Sequence, residues 1–240
     1  MPARTATPNL PRGFPQRFPV HADMHRTARY WTAYLLARGL SRGYLGRLLR
    51  VEGEELVPRE GPLLICSNHL SNLDPPLIGS RLPGANSAMA KRELFGSRLA
   101  SWFWAGCNVF PVDRGAADRW ALRTALDVID RGGRLILFVE GTRALRPGMK
   151  RAEAGVGFLL RKCSVPILPV AITGSEAALV RGRRLPRRVP ITLRFGAPVE
   201  LPPSLIESGD NQAVADAVAR EIAALLPEAY RGVYASGEAA

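Results

Sequence analysis

A chain of 240 residues with 47% hydrophobic content can bury the full core of one domain of generous size. Its 23 Gly and 20 Pro stay below the level that marks a whole chain as disordered. The 33 Lys and Arg against 21 Asp and Glu, a net charge of +12, set aside cationic partners and leave three anionic ones open: nucleic acid, an anionic membrane surface, or a small phosphate-bearing substrate.

Residues 1–22 are predicted to be a disordered, Pro-rich arm, because Pro2, Pro8, Pro11, Pro15 and Pro19 block helix and sheet alike. Residues 23–50 read as an amphipathic helical segment. Met24, Ala28, Trp31, Leu35 and Leu36 fall on one side, arginines stand at 26, 29, 38, 42, 47 and 50, and Gly39, Gly43 and Gly46 weaken the second half. From Gly61 onward, short apolar runs alternate with longer helical patterns, the rhythm of an α/β layer structure. Strands are predicted at 62–67, 86–90, 108–112, 134–139, 166–172 and 190–195. Leu122, Ala125, Leu126 and Ile129 mark a crossing helix that stops at Gly132-Gly133, and a second helix runs over 210–226. The expected fold class is α/β: a single domain over 51–228 with a mixed, largely parallel sheet flanked by helices, then a frayed tail over 229–240.

Cys66, Cys107 and Cys163 are odd in number and far apart, which indicates neither a disulfide framework nor a zinc site. No signal-peptide core and no run of eighteen apolar residues is found, so the expectation is a cytoplasmic protein that at most lies on a membrane.

Chemistry concentrates where predicted strands end. In Asn68-His69-Leu70-Ser71-Asn72-Leu73-Asp74, a side chain that can take a proton lies five positions from one that can orient it. In one continuous helix the two would sit about 140° apart. A turn between a strand ending near Ser67 and a helix starting at Asp74-Pro75-Pro76 can instead bring them together. Asp74 is equally suited to be the N-cap of that helix, and a carboxylate with two oxygens allows both roles. A lone His69 could also be an ordinary core histidine. Glu140-Gly141-Thr142-Arg143 follows the apolar run Leu135–Val139, and such carboxyl ends bind ligands in open α/β sheets, although a plain strand-to-loop turn would look the same. Phe110-Pro111-Val112-Asp113-Arg114 and Ala88-Met89-Ala90-Lys91 also end in cations, consistent with one convergent anion pocket or with surface ion pairs of little energetic weight. Val165-Pro166-Ile167-Leu168-Pro169-Val170 is broken twice by proline and reads as an edge or bulged strand. Val165, Pro166, Ile167 and Pro169 are candidates for lining an apolar acyl tunnel, with core packing the commoner reason for this composition.

Taken in order, NHLSNLD, FPVDR, FVEGTR and VPILPV resemble the four sequence blocks of the glycerophospholipid acyltransferases, most closely the 1-acyl-sn-glycerol-3-phosphate acyltransferases. The match runs from about Leu63 to Thr173 and includes Ala90–Phe95. By this resemblance His69 is the general base and Asp74 its orienting carboxylate. Arg114, Glu140, Gly141, Thr142 and Arg143 bind the glycerol phosphate acceptor, and Lys91 adds a phosphate contact. The chain departs from the commonest pattern at Val139, where proline is frequent, and at Ala144, where serine often follows the arginine.

The resemblance implies transfer of a fatty acyl group from acyl-CoA or acyl carrier protein to lysophosphatidic acid, giving phosphatidic acid at the cytoplasmic face of the cell membrane. The enzyme would be peripheral, with no metal and no bound cofactor. Without a Gly-x-Ser-x-Gly elbow, direct transfer is preferred over an acyl-enzyme. The remaining cations, in 24–50 and in Arg181–Arg188, suit an anionic lipid surface, and Tyr30, Trp31, Tyr34 and Trp102-Phe103-Trp104 have interfacial composition. The alternatives are another acceptor, such as glycerol 3-phosphate or a different lysolipid, or a non-catalytic protein binding nucleic acid. The last rests on charge and the arginine loop alone, with no nucleic-acid motif beside them.

Overall fold

The computed structural model describes residues 10–15, 18, 27–113, 118–144, 146–163, 165–179 and 185–235. Within them, seven strands form one sheet: β1 (Leu49–Glu52), β2 (Leu63–Ser67), β3 (Ser87–Lys91), β4 (Val109–Val112), β5 (Arg134–Phe138), β6 (Ile167–Thr173) and β7 (Ile191–Phe195). Their order is β1-β7-β6-β2-β5-β3-β4. Strands β6, β2, β5, β3 and β4 are mutually parallel, whereas β7 pairs antiparallel with β6 and β1 joins β7 in parallel. The fold is thus α/β with a mixed, largely parallel sheet.

Strand β2 lies between two parallel neighbours, and all five of its residues are buried, which is why its sequence is apolar without alternation. Successive side chains supply opposite faces. Leu64, Cys66, Leu135 and Leu137 meet helices α4 (Arg119–Asp130), α5 (Ala154–Lys162) and α8 (Asn211–Leu225); Leu63, Ile65, Ile136 and Leu168 meet the short α2 (Asp74–Gly79) and Leu45 and Leu49. Asp118 and Asp210 cap α4 and α8, accepting from Ala121 N at 3.0 Å and from Gln212 N at 2.8 Å.

Helices α5 and α8 approach closely at Gly157, where an added Cβ would lie 1.7 Å from the Asn211 carbonyl oxygen. Gly157→Ala therefore has to push backbone apart. Overpacking of this kind costs about 1–3 kcal/mol, or roughly 2–12 °C in melting temperature for a chain of this size. A thermal denaturation curve matching the wild type would show that α8 shifts without strain.

Four sequence expectations change. In the segment read as helical over 23–50, the described residues form α1 (Ala28–Gly39), a π-turn (Leu40–Tyr44) and a 3-10 turn (Gly46–Leu48), while residues 23–26 lie outside the description; Leu49 and Arg50 already belong to β1, so the sheet crosses the boundary drawn at residue 50. The alternation Leu49-Arg50-Val51-Glu52, ended by Gly53 at φ 72°, carries the strand. In the Pro-rich arm, Phe14 and Phe18 are buried in the main core, Phe14 edge-on to Phe95 and Trp120 and Phe18 edge-on to Phe110. The tail is ordered at least to residue 235, through α9 (Glu228–Arg231) and a 3-10 turn (Gly232–Tyr234).

The fourth change concerns β6, which is interior although it contains Pro169. Leu64 N donates to Pro166 O at 3.1 Å on the β2 side, while Pro169 O accepts from Gly196 N at 2.9 Å on the other. The missing N–H of Pro169 therefore points towards residues 196–198, just past the end of β7, whose ladder with β6 begins at Val170↔Phe195. Proline is tolerated because the regular ladder has ended there: beyond it the pairing resumes only as the bridge Ile167↔Val199, one residue out of register, so a bulge lies beside the proline and the second half of the strand pairs fully.

Candidate active site

The carboxyl ends of β2, β5 and β6 lie side by side, at the point where the chain leaves β2 in one direction for β3 and later returns on its other side as β6. Each end is followed by a loop that carries polar groups. After β2, the Asn68 carboxamide takes the place of a ladder rung. Its Nδ2 donates to Ile172 O at 2.9 Å and its Oδ1 accepts from Ile172 N at 2.9 Å. That frees the backbone to turn at His69.

Asp74 is fully buried and lies 2.9 Å from His69, Oδ2 to Nδ1. The same oxygen accepts from Leu70 N and Ser71 N, both at 2.7 Å. Oδ1 accepts from Ser175 Oγ at 2.6 Å, the first residue of α6 (Ser175–Ala178) after β6. Asp74 opens α2 but does not cap it forwards: Pro75 and Pro76 have no N–H to offer, and Leu77 N donates to Leu73 O at 3.0 Å. Two prolines in the first turn thus release the carboxylate for the histidine. With Nδ1–H held by Asp74, the neutral ring presents Nε2 as its acceptor, the tautomer a general base requires. The imidazole is 6% exposed and stacks on Phe138 at 4.0 Å between ring centroids, so it has one open edge and a fixed plane.

Glu140 follows Val139 at the end of β5 and is 2% exposed. Its Oε1 accepts from His69 N at 3.0 Å and its Oε2 from Lys150 N at 2.9 Å. Burial raises its pKa above the ordinary carboxylate value, against the pull of those two backbone donors. Both oxygens hold backbone donors and the residue is buried, so Glu140 braces the histidine loop. Ala144 N adds a second tie by donating to His69 O at 2.7 Å. Val139 N donates to Ser67 O at 3.1 Å, a bond that proline would forgo.

Gly141 has φ 64°, and a Cβ there would lie 2.8 Å from Glu153 Cγ, so glycine is needed for the turn. Beyond it Thr142 is exposed and Arg143 half-buried. Lys150 Nζ donates to Thr142 Oγ1 at 3.4 Å and to Arg143 O at 3.1 Å, which sets a second cation beside Arg143. Lys91, at the carboxyl end of β3, is exposed. Arg114 lies outside the described residues. Its neighbour Asp113 is paired with the guanidinium of Arg92, Oδ2 at 2.5 Å from Nη2. Ile167 and Pro169 are buried, and Val165 and Pro166 half-buried. They precede Ile172, the residue level with Asn68, by three to seven positions, hence roughly 10–23 Å down the sheet from His69.

The sequence reading missed Ser175, Lys150 and Asn68. Ser175 could have been found as the first polar residue after β6, behind Gly174 at φ 81°, on the same sheet edge as the other two loops.

Residues 48–173 match the family model described as Acyltransferase. The 1-acyl-sn-glycerol-3-phosphate acyltransferase of Cocos nucifera is 28% identical over 159 residues, 65% of this chain and 51% of that protein. The lyso-ornithine lipid O-acyltransferase of Pseudomonas aeruginosa is 30% identical over 149 residues, 62% of this chain and 54% of that protein. The chain thus spans about half the length of these curated relatives. The crystal structure of the 1-acyl-sn-glycerophosphate (LPA) acyltransferase PlsC from Thermotoga maritima superposes with a TM-score of 0.64 at 25% identity, covering 83% of this chain and 82% of that one.

Proposed function

The chain belongs to the acyltransferase family, and from that premise we propose that it moves a fatty acyl group from acyl-CoA or acyl carrier protein to the free hydroxyl of lysophosphatidic acid, giving phosphatidic acid. The observation that carries this reading is the buried Asp74 carboxylate at 2.9 Å from His69 Nδ1, with Nε2 left to work at the open edge. His69 Nε2 takes the proton of the acceptor hydroxyl while that oxygen attacks the thioester carbonyl. The C–O bond forms, the C–S bond breaks, and the departing thiolate recovers the proton from the imidazolium. Asp74 stabilises that imidazolium, the logic of a serine protease with the substrate's hydroxyl in the place of the enzyme's serine. In this reading Arg143, Lys150 and Lys91 meet the acceptor's phosphate; Arg143 offers the planar fork that suits it.

The acceptor reaches the site from an anionic membrane surface in this reading. Trp31, Leu35 and Leu36 of α1 and Leu99 and Trp102 of α3 (Arg98–Gly106) are exposed large apolar side chains. The two helices are joined through Thr27 Oγ1, which donates to Gly106 O at 2.6 Å, and through Arg29, whose guanidinium lies 4.1 Å over the Trp102 ring. Arg29 and Arg38 lie on α1, Arg42 follows it and Arg98 opens α3, the cations that lipid headgroups would meet in this reading. No helix of the described residues is long and apolar enough to cross a membrane.

A second acceptor is favoured by the Pseudomonas relative, which acts on a lyso-ornithine lipid. Thiol release from acyl-CoA by the purified protein, measured with lysophosphatidic acid, glycerol 3-phosphate and lyso-ornithine lipid, separates the readings. Release with lysophosphatidic acid alone supports the phosphate pocket; preference for the ornithine lipid moves the assignment to that acceptor.

The same assay tests Ser175. Ser175→Ala removes one charge-assisted hydrogen bond from Asp74 and should lower kcat roughly tenfold with acceptor KM unchanged. An unchanged kcat would mean that the Leu70 and Ser71 amides alone fix the carboxylate.

A further inference from the structure

The segment from Glu228 to Tyr234 lies across the loops of the site. Met149 N donates to Tyr230 O at 3.0 Å, and Val233 N donates to Met149 O at 3.1 Å, a two-bond clasp on the loop that follows β5. The approach is tight: a Cβ on Gly232 would sit 2.1 Å from Met149 O. Ala152 N donates to Tyr234 Oη at 2.8 Å, and that hydroxyl donates to Asp216 Oδ1 at 2.7 Å. Between these anchors stands Lys150, bound through its backbone to Glu140 and through its ammonium to Thr142 and Arg143. The Tyr230 hydroxyl goes elsewhere. It donates to Glu176 Oε1 at 2.7 Å, next to the Ser175 that holds Asp74.

We propose that Glu228–Tyr234 is a positioning strap that sets the two halves of the site against each other, with Tyr234 fixing the acceptor-binding loop through Ala152 and Tyr230 fixing the His69–Asp74 pair through Glu176 and Ser175. Neither tyrosine touches substrate; each acts through another group. This rests on the acyl-transfer reading for its kinetic consequences but not for its geometry. A loop held only by its own turns would sample many placements of Arg143, and small misplacements of positioning groups are expensive in rate. One segment that reaches both loops makes their relative placement a single packing decision. The close contact at Gly232 allows no slack in it.

The test uses the full chain with Tyr230→Phe, Tyr234→Phe and Gly232→Ala, following kcat, acceptor KM, melting temperature and amide hydrogen exchange over 146–153 and 174–178. Loss of one hydrogen bond corresponds to about a three- to tenfold effect. Tyr234→Phe should raise acceptor KM by that factor with kcat unchanged, and Tyr230→Phe should lower kcat by that factor with KM unchanged. Gly232→Ala, which lifts the clasp, should combine both and raise exchange in the two segments together. Wild-type values in all three variants would overturn the strap, as would losses of kcat and KM that merely follow the melting temperature. A wild-type protein inactive towards every acceptor would refute the acyl-transfer reading instead. Exchange then decides the strap: faster exchange in both segments of Gly232→Ala supports it, and exchange confined to one overturns it.

Discussion

Replacing His69 with alanine should lower acyl transfer by roughly 10² to 10⁴-fold, the usual worth of a positioned general base. The site predicts where the loss falls. The ring stacks on Phe138 and its Nδ1 faces Asp74, so the Nε2 lone pair is the group removed from the reaction. The loop around it is held by backbone bonds from His69 N to Glu140 and from Ala144 N to His69 O, and neither depends on the imidazole. Acceptor KM and liposome binding should therefore stay near wild type while kcat collapses. A variant that keeps more than about a tenth of the wild-type kcat would remove His69 from the role of base.

Asp74→Asn should lower kcat on a similar scale, roughly 10² to 10⁴-fold, with a melting temperature close to wild type. The amide can keep its oxygen at the Oδ2 position, where Leu70 N, Ser71 N and His69 Nδ1 converge, and turn its NH₂ to Ser175 Oγ, which can accept. Geometry is then preserved and the negative charge that stabilises the imidazolium is not. Asp74→Ala is the contrasting variant. It strands the same buried donors and should lose stability by about 3–5 kcal/mol in addition to activity. Equal melting temperatures for the two variants would show that the carboxylate's hydrogen bonds contribute little to the fold, and an unchanged kcat in Asp74→Asn would show that charge is not what the histidine needs.

Much of this was legible in the residues. The six strands predicted between 62 and 195 lie within about one residue of β2 to β7: β2, β5 and β6 are apolar runs buried on both faces, and β7 shows the alternation of a strand buried on one. The proximity of His69 and Asp74 was legible because a strand, a short turn and an Asp-Pro-Pro helix start admit few other foldings. What the sequence hid has physical reasons. Strand β1 was merged with α1 because four residues carry too little periodicity to outweigh the helical pattern before them. Pro169 reads as the mark of an edge or a bulge, and only the three-dimensional pairing, with the ladder ending at Val170↔Phe195 and resuming out of register at Ile167↔Val199, selects the bulge over the edge. Glu140 looked like a ligand because its two backbone donors, His69 N and Lys150 N, come from 71 and 10 residues away. Ser175 and the Glu228–Tyr234 segment are long-range in the same sense: each meets the site only after β6 or α8 has folded into place.

Asn68 determines how far this site could be moved to another protein. Its side chain both gives and takes a hydrogen bond with a single residue of the next strand, Ile172, as a stretch of backbone would. Aspartate lacks the donor, serine lacks the span, and glutamine adds a methylene that displaces both bonds. A designer grafting the histidine–aspartate pair onto a different parallel sheet would thus have to transplant the asparagine with it, together with a neighbouring strand that runs on to Ile172, two residues past the Val170 that pairs with Ser67. The transferable unit is the final rung of the sheet and the turn it releases, and the two reactive side chains are passengers on that rung.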